Sequence, residues 1–184
     1  MIIGLTGTIG AGKGTVVEYL LSRHNFTHYS VRDVLNTELS KLGKPLTREN
    51  MFWIATKLRE EKGSGYFMEA LLAEAQAKGG DAIIESIRTM GEVETMRQKS
   101  PHFILFAVDA DPKTRYERIV KRNSSTDHIT FQKFIEDEEK ENRHGEKWQI
   151  NLPGCIAAAD YRFLNDTAVD VLFSQVEEVI TKLK

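Results

Sequence analysis

The stretch that most constrains this chain lies near its start. Gly7-Thr8-Ile9-Gly10-Ala11-Gly12-Lys13-Gly14-Thr15 follows an apolar run, Ile2 to Thr6, and leads into a segment with Val16, Val17, Leu20 and Leu21 at helical spacing. The apolar run reads as a buried strand and the following segment as a helix from about Lys13 to Arg23. Glycines allow torsions that other residues resist, so successive N–H groups can turn inward around an anion. The helix N-terminus adds partial positive charge. In Gly7-x-x-x-x-Gly12-Lys13 the lysine is then placed to reach the outer phosphates of a triphosphate.

Downstream, short β-like runs alternate with helical ones. Thr27 to Val31, Asp81 to Glu85, His102 to Val108 and Tyr161 to Leu164 read as strands. Helices are expected from Val34 to Leu42, from a Thr47 cap through Leu58, and over Tyr66 to Lys78, Pro112 to Arg122, Thr130 to about Arg143 and Val169 to Leu183. Strands separated by helices imply βαβ units. The expected architecture is α/β, a three-layer fold with a parallel five-stranded sheet flanked by helices. Ligands of such sheets sit beyond the carboxyl ends of the strands, and the candidate residues fall just after those strands.

The bulk numbers exclude several classes. A chain of 184 residues fits one domain, expected to span 1–184. The formal net charge of −2 gives no global field for nucleic acid or an anionic membrane. No stretch approaches the roughly 18 apolar residues of a membrane span, and no signal peptide is evident. A lone cysteine, Cys155, implies no internal disulfide and fits a reducing, cytoplasmic setting. His24, His28, His102, His128 and His144 show no metal-ligand spacing.

Gly-Lys-Gly-Thr at 12–15 resembles the phosphate loop of adenylate kinase and other nucleoside monophosphate kinases. The opening Ile3 to Lys13 is also similar to dephospho-coenzyme A kinase. Over most of its length the chain resembles archaeal-type adenylate-kinase-like P-loop proteins, through Asp33-Val34-Leu35-Asn36-Thr37-Glu38, Leu46-Thr47-x-Glu49-Asn50 and Lys57-Leu58-Arg59-Glu60. The resemblance implies ATP as phosphoryl donor with Mg²⁺. It also implies an acceptor-binding arm at about 31–65 and a lid at about 118–145.

It further implies roles for particular residues. Gly14 stands where many such loops place a hydroxyl, so Thr15 would meet the metal through water. Asp33, after the second strand, matches an aspartate that orders metal waters, and Arg32 beside it is an acceptor candidate. The family's arginine three positions on is Asn36 here. Glu85, at the third strand's end, is a metal candidate, and Arg88 resembles the arginine that grips the acceptor phosphate. Arg118 and Arg122 match an Arg-x-x-x-Arg pair that clamps the phosphates, with Arg115 near their face and Arg143 as a further lid arginine. The acidic run Glu136 to Glu141 reads as a solvated face. Asn165, and with it Asp166, borders the base by resemblance.

The expected activity is transfer of the γ-phosphoryl of ATP to a (deoxy)nucleoside monophosphate. The catalytic set is Lys13, Arg88, Arg118 and Arg122. Dephospho-coenzyme A kinase and a non-catalytic ATP-binding regulatory module are the alternatives. A GTPase switch finds no support, since Asn-Lys-x-Asp and a strand-following Asp-x-x-Gly are absent.

Overall fold

The computed structural model describes residues 1–122, 129–141 and 145–184. The expected lid loop, and with it Arg143, His128 and His144, lies outside the described residues. In chain order the elements are β1 (Ile2–Gly7), α1 (Lys13–His24), β2 (Thr27–Ser30), α2 (Val31–Lys41), α3 (Arg48–Lys62), α4 (Tyr66–Lys78) and β3 (Ala82–Glu85). Then follow α5 (Met90–Lys99), β4 (Phe103–Asp109), α6 (Pro112–Arg122), α7 (Phe131–Glu141), α8 (Leu152–Ala157), β5 (Tyr161–Leu164) and α9 (Val169–Leu183).

The five strands form one all-parallel sheet in the order β2-β3-β1-β4-β5. β1 is central, and buried on nearly its whole length because Ile3-Gly4-Leu5-Thr6 offers no exposed polar face. Alternation along the strands sends side chains to two cores. Ala82, Ile84 and Leu105 pack with Leu35, Leu58, Phe67 and Leu71 on one face. Ile3, Leu5, Ile83 and Phe106 pack with Val16, Leu20, Val176 and Ile180 on the other. The chain leaves β1 toward β2 on one side of the sheet and leaves β4 toward β5 on the other, so a crevice opens between the carboxyl ends of β1 and β4, where such folds bind ligands.

Two helices were not expected from the sequence, α5 and α8. α5 starts with a capping box: Thr89 accepts from the N–H of Glu92 at 3.1 Å, and the Glu92 carboxylate accepts from the N–H of Thr89 at 3.1 Å. β2 stops one residue sooner than its apolar pattern implies. Ser30 accepts from the N–H of Arg32 at 3.2 Å, which starts α2 at Val31. α3 runs on to Lys62 rather than ending at Leu58, because Leu58 and Arg59 are still buried against the core and the breaker is Gly63.

Phe106 tests the core beneath the site. It is fully buried and meets Tyr161 and Phe163 edge-on at 5.7 and 5.1 Å. Phe106→Ala is expected to cost about 3–5 kcal/mol, read as a lower urea midpoint with an unchanged slope.

Candidate functional site

The loop after β1 has the torsions its glycines allow. Gly10 and Gly12 have φ of 78° and 102°. A Cβ at Gly10 would lie 2.6 Å from the Arg115 carbonyl oxygen, and one at Gly12 would lie 2.3 Å from Asn165 Nδ2. Gly12 also starts α1, with no side-chain cap and no acidic residue in the first turn. The helix end is thus left to an anion. Lys13 Nζ donates to the carbonyls of Gly7 and Thr8, each at 2.8 Å, and so arches over the loop.

Side chains from the neighbouring strand ends hold the loop from outside. Thr8 Oγ1 donates to Asp109 Oδ1 at 2.6 Å, Asn165 Nδ2 to the Ala11 carbonyl at 2.8 Å, and Arg115 Nη1 to the Ile9 carbonyl at 3.3 Å. Asn165 is buried and its Oδ1 accepts from Arg118 Nη2 at 3.4 Å. Its side chain therefore braces the loop and Arg118 rather than facing a base. Asp166 accepts from the Asp111 N–H at 2.6 Å.

A cleft of about 750 Å³ opens in front of this loop. Gly7, Ile9, Gly10, Gly12, Lys13, Gly14 and Thr15 line its floor; Thr8 and Ala11 of the same loop turn into the bracing contacts above. Arg32, Glu85, Arg88, Arg118 and Arg122 converge on it from four different segments. α3 adds Arg48, Met51, Phe52 and Ala55 as a wall on the arm side. Asp33 sits exposed in the first turn of α2 and does not line the cleft, so the cleft-lining acid whose charge acts on Lys13 is Glu85.

Burial pushes the Glu85 carboxyl up, but His28, Ser30 and Lys13 outweigh it and hold it below the ordinary carboxylate value. Ser30 Oγ donates to Glu85 Oε1 at 3.1 Å, and His28 Nε2 lies 3.6 Å from the same oxygen. Burial, reinforced by the charge of Arg88, lowers Lys13 from 10.5 to about 7; Glu85 opposes this. Among the described residues no group of three or more His, Cys, Asp or Glu could cage a metal. One ionised carboxylate and the Thr15 hydroxyl suit a hard cation that brings phosphate and water ligands with it, as Mg²⁺ does.

Two ion pairs beside the cleft were not foreseen. Arg115 is 4% exposed and pairs with both carboxylate oxygens of Glu138 on α7, while its Nε donates to the Ala110 carbonyl at 2.9 Å. It is therefore a strut between loop and lid helix, not a phosphate clamp beside Arg118. Glu138 corrects the reading of the acidic run as wholly solvated. Phe131, Phe134 and Glu138 share one helix face by their spacing, and Phe134 is buried beneath the Arg115 guanidinium at 5.2 Å. The second group is Arg59 with Glu92, a buried pair that joins α3 to α5. Its signal in the sequence was the Thr89-x-x-Glu92 capping pattern.

The chain matches the AAA domain family over residues 3–149. It is 31% identical over 190 residues to a UPF0200 protein of Pyrococcus horikoshii, with 100% of this chain and 97% of the relative covered. It is 32% identical over 192 residues to one from Thermococcus kodakarensis, with 100% of both covered. Its fold is similar to that of the Thermus thermophilus protein TT1252, with a TM-score of 0.65 at 19% identity over 100% and 98% of the two chains. It is also similar to shikimate kinase from Bacteroides thetaiotaomicron, with a TM-score of 0.59 at 15% identity over 98% of each. These neighbours establish the fold, which shikimate kinase shares, and leave the adenylate-kinase resemblance as one reading within it. The full-length relatives and the matched domain agree that the chain belongs to the UPF0200 family and carries an AAA domain.

Proposed function

We propose that this protein is an ATP-dependent phosphotransferase that passes the γ-phosphoryl of ATP to a (deoxy)nucleoside monophosphate. The observation that carries the reading is the convergence of Arg32, Arg88, Arg118 and Arg122 with Lys13 and Glu85 around one cleft. Phosphoryl transfer needs positioning and charge neutralisation more than covalent chemistry from the protein. An acceptor phosphate oxygen is already anionic, attacks the γ-phosphorus, and releases ADP as the bond to the β–γ bridging oxygen breaks. No general base is required. This agrees with a Glu85 held ionised below the usual range and a Glu138 committed to Arg115, since neither is tuned to take a hydroxyl proton.

In this reading Lys13 and the loop from Gly7 to Thr15 hold the β- and γ-phosphates. Arg118, braced by Asn165, and Arg122 neutralise the transferred group. Arg118 Nη1 is buried with no hydrogen-bond partner among the described residues, which fits a group waiting for a phosphate oxygen. Arg88 and Arg32 face the acceptor, beside the α3 wall. Bound with the triphosphate, Mg²⁺ would neutralise phosphate charge, held near Glu85 and Thr15. Among the described residues no helix is long and apolar enough to cross a membrane, and a cytoplasmic site of action accords with the substrates proposed.

The direct test offers Mg-ATP with a panel of nucleoside and deoxynucleoside monophosphates, and dephospho-coenzyme A, and follows ADP release. Release with the monophosphates is expected. Release with dephospho-coenzyme A alone overturns the reading, and tight ATP binding with no release favours a regulatory module. Lys13→Ala is expected to lower kcat by about 10²–10³. Arg88→Ala is expected to raise the acceptor KM by roughly tenfold or more, with the ATP KM little changed.

Lys13 also sets a pH dependence. Its folded-state value, about 7, lies below its ordinary 10.5. Between these values the unfolded chain binds more protons, so the contribution of Lys13 to the stability of the free protein improves as pH rises. A bound triphosphate favours the charged lysine and reverses the preference. Binding at pH 8 is therefore expected to take up about one proton and to weaken as pH rises further. Calorimetry in two buffers of different ionisation enthalpy reads the uptake, and Lys13→Met should abolish it.

A further inference from the structure

Glu92 is 0% exposed and Arg59 3% exposed. One carboxylate oxygen, Oε1, accepts from Arg59 Nε at 2.9 Å and Nη2 at 2.8 Å. The other, Oε2, accepts from the backbone N–H of Arg88 at 2.8 Å and of Thr89 at 3.1 Å. The Arg88 carbonyl in turn accepts from the Asn151 N–H at 2.8 Å. Both polar atoms of the Arg88 backbone are therefore fixed, one by the first turn of α5 and one at the start of α8. The packing around them is equally tight. A Cβ at Gly91 would meet Ser64, beyond the end of α3, at 2.3 Å and the Lys147 carbonyl at 3.1 Å.

Capping α5 does not require this arrangement. An N3 glutamate at a surface helix start completes a capping box while half in water. Here the carboxylate is fully buried, and a second helix buries an arginine to neutralise it. Buried ion pairs are poor sources of stability compared with apolar side chains of the same size. What this pair supplies is a fixed distance and direction between the arm helix and the segment carrying Arg88.

We propose that Glu92 is a positioning residue of the acceptor site. It aims Arg88 into the cleft and, through Arg59, ties the root of α3 to the same point, so that the acceptor grip and the α3 wall move as one piece. Arg59 lines the cleft but serves Glu92 rather than the substrate. The inference rests on the reading that Arg88 grips the acceptor.

Two variants test it, Glu92→Gln and the double variant Arg59→Met/Glu92→Met, which refills the space with apolar side chains. Four quantities are measured: the melting temperature, the KM for acceptor, the KM for ATP, and the ¹⁵N–{¹H} NOE of the Arg88 side-chain Nε, identified by its loss in Arg88→Lys. The double variant is expected to melt no lower than the wild-type protein. Both variants are expected to show an acceptor KM raised about tenfold or more, an unchanged ATP KM, and a reduced NOE at Arg88. The proposal is overturned if the double variant restores the acceptor KM along with the melting temperature, or if both KM values rise equally. A wild-type NOE at Arg88 in both variants also overturns it. Should Glu92→Gln fail to fold, the double variant decides; should the double variant also fail to fold, Glu92 is a stability element and the proposal is wrong. If the wild-type protein phosphorylates no monophosphate, the functional reading fails by itself. The NOE still decides whether Glu92 positions Arg88.

Discussion

The loop between β1 and α1 does not hold its own shape, and much of the structure around it exists to hold it. Its glycines permit the torsions but do not enforce them. Enforcement comes from Asp109 on Thr8, Arg115 on the Ile9 carbonyl and Asn165 on the Ala11 carbonyl. Those braces come from the end of β4, the first turns of α6 and the residue after β5, so the sheet must be complete before the loop is set. An anion site made of N–H groups works best when its dipoles are aimed before the ligand arrives. The parallel order β2-β3-β1-β4-β5 serves this, since it brings every brace to the carboxyl edge beside β1.

Electrostatics then follow from location rather than from composition. The chain as a whole carries −2, yet among the described residues the cleft is lined by seven basic and three acidic side chains. Two of the apparent charges are already spent. Arg59 is neutralised by Glu92, and Glu138 by Arg115. What remains is a basic hollow in a mildly acidic molecule, a pattern that focuses the field on an anionic ligand without attracting polyanions to the whole surface. The depressed Lys13 belongs to this picture, because burial and the charge of Arg88 outweigh the nearby Glu85 and Asp109.

Much of this was legible in the sequence because the signals were local. The glycine spacing at 7–12, the apolar strands and the helical periodicities each depend on neighbours a few residues away, and the sheet and its loop followed from them. Two helices escaped for the same reason inverted. Thr89-Met90-Gly91-Glu92 offers only a capping pattern, and Leu152-Pro153-Gly154 carries two helix-breaking residues. Pro153 sits at the helix start, where its missing N–H costs nothing, and Asn151 caps Gly154.

The role of each arginine was not local, and here sequence reasoning reached its boundary. Arg115, Arg118 and Arg122 stand three and four apart on one helix, and spacing alone treats them as a set. Their fates are separated by residues far away: Glu138 takes Arg115 and Asn165 steers Arg118. Arg115 and Arg122 even lie on nearly the same helix face, seven residues apart. The first is buried because the phosphate loop and α7 cover that turn. The same logic holds for Arg59, whose partner lies 33 positions on. An arginine in such a fold is thus as readily a strut as a clamp, and which of the two it becomes is set by whether a carboxylate reaches it first.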